Sequence, residues 1–205
     1  MSMPQSLIVT RSLRKSYPTG GGGKLDVLQG VDMEARPGEV ALVKGNISDD
    51  KGNPVNTAIV EVKDLQTREV SLATVDSTSG TYMMAVKKNQ DVVVTVKADT
   101  IAFNSKVVRG QSLPRAISEP AQVNLEVKAA KAGETFLIGD IQYNTNSSEL
   151  HPESMVILEG FADYLQQHKD LKVEIRGHTD NVGNEKDNQA LSTNRAYTVK
   201  SVLEA

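Results

Sequence analysis

From residue 44 to residue 128, short apolar runs alternate with turn residues at a cadence that points to an all-β body. Strands are expected at 44–47, 57–63, 70–75, 81–86, 92–98, 106–108 and 122–127. Within 57–63, Ile59, Glu61 and Lys63 fall on one side of the pleat and Val60 and Val62 on the other, as in a half-buried antiparallel strand. The run Val92-Val93-Val94-Thr95-Val96 fits a more central one. Asp50-Lys51-Gly52-Asn53-Pro54 and Ser77-Thr78-Ser79-Gly80 are natural turns, with glycine free to take positive φ. Strands this short at this spacing indicate a β-sandwich. Asp49, Asp50 and Asp76 are the residue types of a calcium site, but turn formation accounts for them more simply.

Composition narrows the function. A chain of 205 residues has room for one to two domains with real cores. A net charge of −3 gives no general attraction to nucleic acid, and an aromatic content of 4% without Trp offers no base-stacking platform. Without Cys there are no disulfides and no thiolate metal sites. No apolar run reaches the ~18 residues of a membrane-spanning helix, so no transmembrane segment is expected. The start Met1-Ser-Met-Pro-Gln-Ser-Leu-Ile-Val-Thr lacks the basic start and apolar core of a signal peptide, so the chain as written is expected to stay in the cytoplasm.

Beyond residue 136 the grammar changes to strand and helix in alternation. A strand is expected at 136–143, with Phe136, Ile138 and Ile141 available for a core. A loop over 144–150 leads to Pro152, a residue suited to the first turn of a helix. Met155, Leu158, Ala162 and Leu165 recur at helical spacing, and Ile157, Phe161 and Tyr164 widen the apolar face. Leu171, Val173 and Ile175 alternate as a second strand. After a loop over 178–186, a second helix is expected from about Asp187 to Glu204, burying Leu191, Val199, Val202 and Leu203. Two strand–helix units in succession imply an α+β or α/β layer with a right-handed crossover.

The last unit carries the most specific chemistry. Thr179-Asp180, Asn188, Leu191-Ser192 and Arg195-Ala196 put one carboxylate and one guanidinium on consecutive elements. Such a pair suits a zwitterionic ligand, with Asp holding an ammonium and Arg gripping a carboxylate in a forked geometry. Asp and Arg on neighbouring elements also form plain surface ion pairs, worth under about 1 kcal/mol. His178 has no second His or acid at ligand spacing and is expected to brace the loop rather than bind metal.

The stretches "IQYNTNSSELHPES", "LEGFADYL" and "VEIRGHTDNVGNEKDNQALSTNRAYTVKSVL" closely resemble the C-terminal peptidoglycan-binding domain of the OmpA family, over 136–205. The resemblance implies that Asp180 and Arg195 hold the diaminopimelate of the peptidoglycan stem peptide. It also implies that Thr179 and Asn188 line or brace the same pocket, that Leu191 packs beneath it, and that Ser192 holds the loop–helix junction. The family domain continues with further strands and a helix. The resemblance thus implies a C-terminally truncated domain at Ala205, with the surface of 171–175 and of the second helix partly uncovered.

Two other resemblances complete the chain. "VKGNISDDKGNPVNTAIVEVKD" and "ATVDSTSGTYMMAVKKNQDVVVTVKA" resemble the carboxypeptidase regulatory-like domain, which implies a spacer or interaction module over 44–128. "LRKSYPTGGGGKLDVLQGVDMEARPGEVALV" resembles the opening of an ABC-transporter ATPase, in which Tyr17 would stack on adenine. After Val43, however, Lys44-Gly45-Asn46-Ile47-Ser48 replaces the G-x-x-x-x-G-K-[ST] loop that wraps phosphates, and no Walker B strand or signature motif follows. Residues 1–43 therefore read as a β-hairpin joined to envelope-type domains, as a gene fusion, an assembly artefact or an engineered chimera would produce.

Taken together, the expected fold is a multidomain α and β chain: an ABC-ATPase-like N-terminal β fragment (1–43), an all-β sandwich (44–128), a linker (129–135) and an incomplete α+β (βαβα) OmpA-like domain (136–205). The expected function is non-catalytic binding of peptidoglycan, anchoring an envelope protein to the cell wall on the periplasmic side of the outer membrane. No enzyme activity, cofactor or metal is expected. Outer-membrane or periplasmic proteins are candidate partners. The alternatives are an ATP-binding transporter subunit, or a purely structural module in which the sandwich is the functional part.

Overall fold

The computed structural model describes residues 8–18, 24–35, 39–98, 101–114, 119–128, 133, 135, 137–180 and 182–205. The expected linker at 129–135 and Phe136 lie largely outside them.

Strands β1 (Ile8–Pro18) and β2 (Lys24–Ala35) form a two-stranded antiparallel sheet with several register shifts. Tyr17 pairs with Leu25 in that hairpin. The main body follows. Strands β3 (Val40–Asp49), β4 (Ile59–Asp64), β5 (Val70–Ala73), β6 (Thr81–Lys87), β7 (Val92–Ala98), β8 (Ile101–Val108), β9 (Ala121–Gln122) and β10 (Leu125–Val127) build two four-stranded sheets. One runs β10-β3-β6, with β9 also pairing β3; the other runs β5-β4-β7-β8.

The alternation seen in the sequence dictates which side chains turn inward. Ala41, Val43 and Ile47 of β3, Tyr82, Met84 and Val86 of β6, Val60 and Val62 of β4, and Val94 and Val96 of β7 join one apolar cluster shared by both sheets. Strand β7 is buried on both faces, because Val93 belongs to a second cluster on the far side. The expected strand at 122–127 is two short ones, both parallel to β3, joined by Val123 and Asn124; the Val123 N–H donates to the Lys44 carbonyl at 2.9 Å. Strand β3 passes without a break through position 43, where the first two expected blocks meet. Its residues Val40 to Val43 pair with Lys87 to Met84 of β6.

Gly45 explains how the first sheet closes. A Cβ there would stand 1.8 Å from the Val123 carbonyl oxygen and 2.7 Å from the Tyr82 ring, so only hydrogen fits. The Tyr82 hydroxyl donates to that same carbonyl. Burial pushes the Tyr82 phenol well above its usual pKa.

Helix α1 (Pro152–Gln167) begins with Pro in its first turn, as expected, and lies across the outer face of the β5-β4-β7-β8 sheet. The expected apolar face needs correction. Ile157, Phe161 and Tyr164 are its most deeply buried line, together with Val156 and Leu158, whereas Met155, Ala162 and Leu165 are only partly buried. The cause is Phe103 of β8, whose ring meets Phe161 at 5.2 Å between centroids and lies against Gly160. Ion pairs reinforce the seat: Glu159 accepts from Lys63 at 3.0 Å and Arg68 at 2.9 Å, and Arg109 joins Asp91 to Glu153.

Helix α2 (Glu185–Leu203) starts two residues before the expected position and packs on α1. Only Val199 is fully buried on it; Leu191, Val202 and Leu203 are half-covered. Among the described residues the chain is thus mixed α and β with two α-helices, but the βαβα pattern expected at 136–205 is not realised: neither strand forms among them.

At 137–143, Gly139 and Asp140, the latter at φ 60°, turn the backbone out of the extended region, and Asp140 instead accepts the Val107 N–H at the edge of β8 (2.8 Å). The segment keeps only an isolated bridge, Tyr143 to Leu150. Residues 171–175 have no described strand beside them, so no ladder can form. Val173 is 43% exposed there, and Glu174 and Arg176 pair with each other on the surface.

Candidate functional site

Spacing along α2 builds one side of the site. Asn188, Ser192 and Arg195 are four and then three residues apart, so they share one face of the helix. Asn188 and Arg195 lie two turns apart, about 10 Å along the axis. The helix opens at Asn184, whose side-chain oxygen accepts the N–H groups of Lys186 (2.8 Å) and Asp187 (3.3 Å). Glu185 and Asp187 in the first turn complement the helix dipole.

The loop before the helix is tied to that face. The Asn188 amide donates to the carbonyls of Val182 (2.9 Å) and Asp180 (3.3 Å), and the Asp180 carboxylate accepts the Val182 N–H at 3.2 Å. Upstream, Gly177 comes so close to the helix that a Cβ would meet the Ser192 carbonyl oxygen at 2.2 Å and the Ala196 nitrogen at 3.1 Å. The loop is thus pressed on the helix at Gly177 and braced by Asn188, with Asp180 between these two restraints in sequence.

Arg195 is held from another direction. Its Nε donates to the Ser147 carbonyl at 3.1 Å, and its Cζ lies 4.7 Å from the centroid of the Tyr143 ring. The Tyr143 hydroxyl donates to the Arg195 carbonyl at 3.3 Å. Burial raises the Tyr143 phenol pKa, and the Arg195 charge partly offsets that rise. The 144–149 loop that carries Ser147 closes on itself through Asn144 and Glu149. It is anchored to α1 by the buried Ser154 hydroxyl, which bonds both the N–H and the carbonyl of Gln142.

Among the described residues, no ion pair involves Asp180 or Arg195. The plain surface salt bridge weighed from the sequence is therefore not what holds them. Among the described residues, the partners of each are uncharged.

Two sequence expectations need revision. Ser192 does not cap the junction; its hydroxyl bonds back to the Gln189 carbonyl within the helix, and Asn184 caps instead. His178 is exposed and makes no hydrogen bond among the described residues, so it braces nothing there. Thr179 is half-buried and makes no hydrogen bond among them either, whereas Asn188 braces the loop.

Sequence reasoning did not single out Tyr143, Ser147, Asn184 or Gly177 for the site. Asn184 ahead of two acids is a legible capping signal. The contacts of Tyr143 and Ser147 with Arg195 span 52 and 48 residues and leave no local trace. Asp49 and Asp76, two of the three acids of calcium-site type, behave as turn formers. Asp49 accepts from Lys51 and Asn53, and Asp76 from Thr78 and Ser79, and these donors lower both carboxyl pKa values. Among the described residues no cluster of His, Asp or Glu is arranged to hold a metal, and no helix is long and apolar enough to cross a membrane.

Comparison with known proteins converges on this region. Residues 142–205 match the model of the OmpA family. Outer membrane porin F of Pseudomonas fluorescens is 38% identical over 64 residues, covering 31% of this chain and 20% of that protein. Outer membrane porin F of Pseudomonas aeruginosa is 33% identical over 64 residues, covering 31% and 18%. The match therefore spans about a fifth of the length of these relatives. Phospholipase PlaB from Legionella pneumophila overlays 64% of this chain on 32% of its own at a TM-score of 0.34 and 8% identity, too distant to bear on fold or activity. With the paired motif residues, their bracing and the family match all falling in one segment, residues 142–205 are an OmpA-family domain sequence.

Proposed function

We propose that this chain binds peptidoglycan without catalysis, through the diaminopimelate of the stem peptide. Asp180 would receive an ammonium and Arg195 a carboxylate. Asn188 would keep the Asp180 loop in place, and Thr179 would line the pocket beside it. The observation that carries this reading is that Asp180 and Arg195 are held by neutral partners and neither forms an ion pair among the described residues. A ligand bearing both signs would find a partner for each.

Each charge-assisted hydrogen bond contributes about 1.5–3 kcal/mol. After association costs, a few such bonds give a modest single-site affinity. That suits attachment to a polymer, where many weak contacts add up. We read the two-sheet body as a β-sandwich spacer of the carboxypeptidase regulatory-like kind, and the whole as an envelope protein tethered to the cell wall beneath the outer membrane. The outer-membrane relatives support that placement.

Titration calorimetry with a diaminopimelate-containing muropeptide tests the reading. The 205-residue chain should bind it, and Asp180→Ala and Arg195→Ala should each weaken binding by at least about tenfold. Wild-type affinity retained in both variants would refute it.

A further inference from the structure

We infer that Tyr143 and Ser147 form a clasp that fixes the Arg195 guanidinium with only its terminal Nη edge open, so that the site selects a free carboxylate over its amide. The inference rests on the peptidoglycan reading for the ligand, but the clasp stands on the geometry of the protein alone.

A guanidinium can take a carboxylate side-on, through Nε and one Nη, or end-on, through both Nη groups. In this structure the Ser147 carbonyl occupies the Nε N–H at 3.1 Å, which closes the side-on approach. Neither Nη has a hydrogen-bond partner among the described residues, so the end-on fork is the one left open. The Tyr143 ring under Cζ restricts the plane of that fork, and its hydroxyl holds the Arg195 backbone at 3.3 Å. Tyr143 thus contacts both ends of the residue.

The clasp is itself supported. Ser147 donates its N–H to the Asn144 carbonyl at 3.0 Å, and Asn144 donates to the Glu149 carbonyl at 3.0 Å. The Asn144 side chain adds a 2.9 Å bond to the Glu149 carboxylate. His151 N–H on the Gln142 carbonyl and the two bonds of Ser154 pin the base of the loop to α1. The carbonyl facing Arg195 therefore belongs to a closed turn.

Selectivity follows from the donor pattern. Two Nη groups pointing outward present N–H donors only. A carboxylate offers an acceptor to each. An amide offers one acceptor and sets its own NH₂ against the other donor, leaving that donor unsatisfied. Tyr143 touches no ligand in this scheme and acts through Arg195 as a positioning residue.

The test uses the full chain and two muropeptides, one with the free diaminopimelate carboxylate and one with that group amidated. The wild-type protein should prefer the free acid by about tenfold or more. Tyr143→Leu should weaken binding of the free acid by about two- to fivefold and leave the amide unchanged. Tyr143→Phe keeps the ring and should stay within about twofold of wild type. Equal losses for both muropeptides in Tyr143→Leu, or none for either, would overturn the inference.

A ligand-free readout keeps the two readings apart. The Arg195 Nε–H resonance should be resolved, protected from exchange, and moved by Tyr143→Leu through loss of the ring current. A resonance unmoved by that change would overturn the clasp. Failure of the wild-type chain to bind either muropeptide, with the resonance behaving as stated, would refute the peptidoglycan reading and the selectivity while leaving the clasp intact.

Discussion

Replacing Gly177 by alanine should disconnect the ligand loop from its helix without disturbing the two-sheet body. The new Cβ would meet the Ser192 carbonyl oxygen at 2.2 Å, and that oxygen is backbone in the middle of α2, so no rotamer change can relieve the contact. An ordinary contact begins near 3.4 Å, which requires the 177–180 segment to retreat by about 1 Å. Asp180 is three residues on, and its Asn188 brace is already long at 3.3 Å, so the retreat would break it. A misplaced carboxylate forfeits a charge-assisted hydrogen bond worth about 1.5–3 kcal/mol, or roughly ten- to a hundred-and-fifty-fold in Kd. Muropeptide titration against Gly177→Ala would measure this, with far-UV circular dichroism and the thermal transition as controls. The penalty is steric, since Gly177 is not among the glycines with positive φ. Affinity within twofold of wild type, with the fold intact, would refute the idea that this close approach sets the position of Asp180.

Three further outcomes follow from features away from the site. Tyr82→Phe removes the hydroxyl that satisfies the nearly buried Val123 carbonyl, and urea unfolding should report a loss of about 1–3 kcal/mol. Gly160→Ala places a methyl 3.6 Å from the Phe103 ring, an ordinary contact, and removes glycine from a helix interior; stability should rise by up to about 1 kcal/mol, and a lower melting temperature would contradict the packing at Phe103. The third concerns acid. Burial alone would raise the Asp64 pKa, but the N–H groups of Thr67 (2.7 Å) and Gln66 (2.8 Å) outweigh it and lower it. A carboxyl depressed on folding contributes stability that is complete above its unfolded pKa of about 3.9 and is lost as pH falls through the folded value. Asp64→Asn should therefore be less stable than wild type at pH 7, with the gap closing in urea titrations as the pH falls below the unfolded carboxyl pKa and through the depressed folded one.

What could be read from the residues depended on whether the cause was local. The alternation of Val60 and Val62 against Ile59, Glu61 and Lys63 is a property of neighbours, and the strand it implies is present. Pro152 marks the start of α1 for the same reason. The alternation at Leu171, Val173 and Ile175 was equally clear, yet a strand needs a partner and none of the described strands lies alongside. Likewise, Phe161 and Tyr164 became the buried centre of α1 because Phe103, far off in sequence, stands opposite them. For the site, the Asp180, Asn188 and Arg195 set was legible as a spacing. The neutral groups that hold those charges apart from protein ions were not, because Ser147 and Tyr143 meet Arg195 only in the folded chain.

Strand β3 runs through position 43, where one block expected from the sequence ends and the next begins. The residues before the crossing are as much a part of the sheet as those after it, with Ala41 and Val43 in the shared core and Val40 to Val43 paired to β6. A sheet asks of an incoming strand only that its side chains alternate and that its length suffice. By that criterion a segment of any origin with the right alternation would serve equally well in either half of β3. The β3 ladder therefore makes the same demand on both sides of position 43: change is tolerated in either half as long as the inward set at Ala41, Val43 and Ile47 stays apolar.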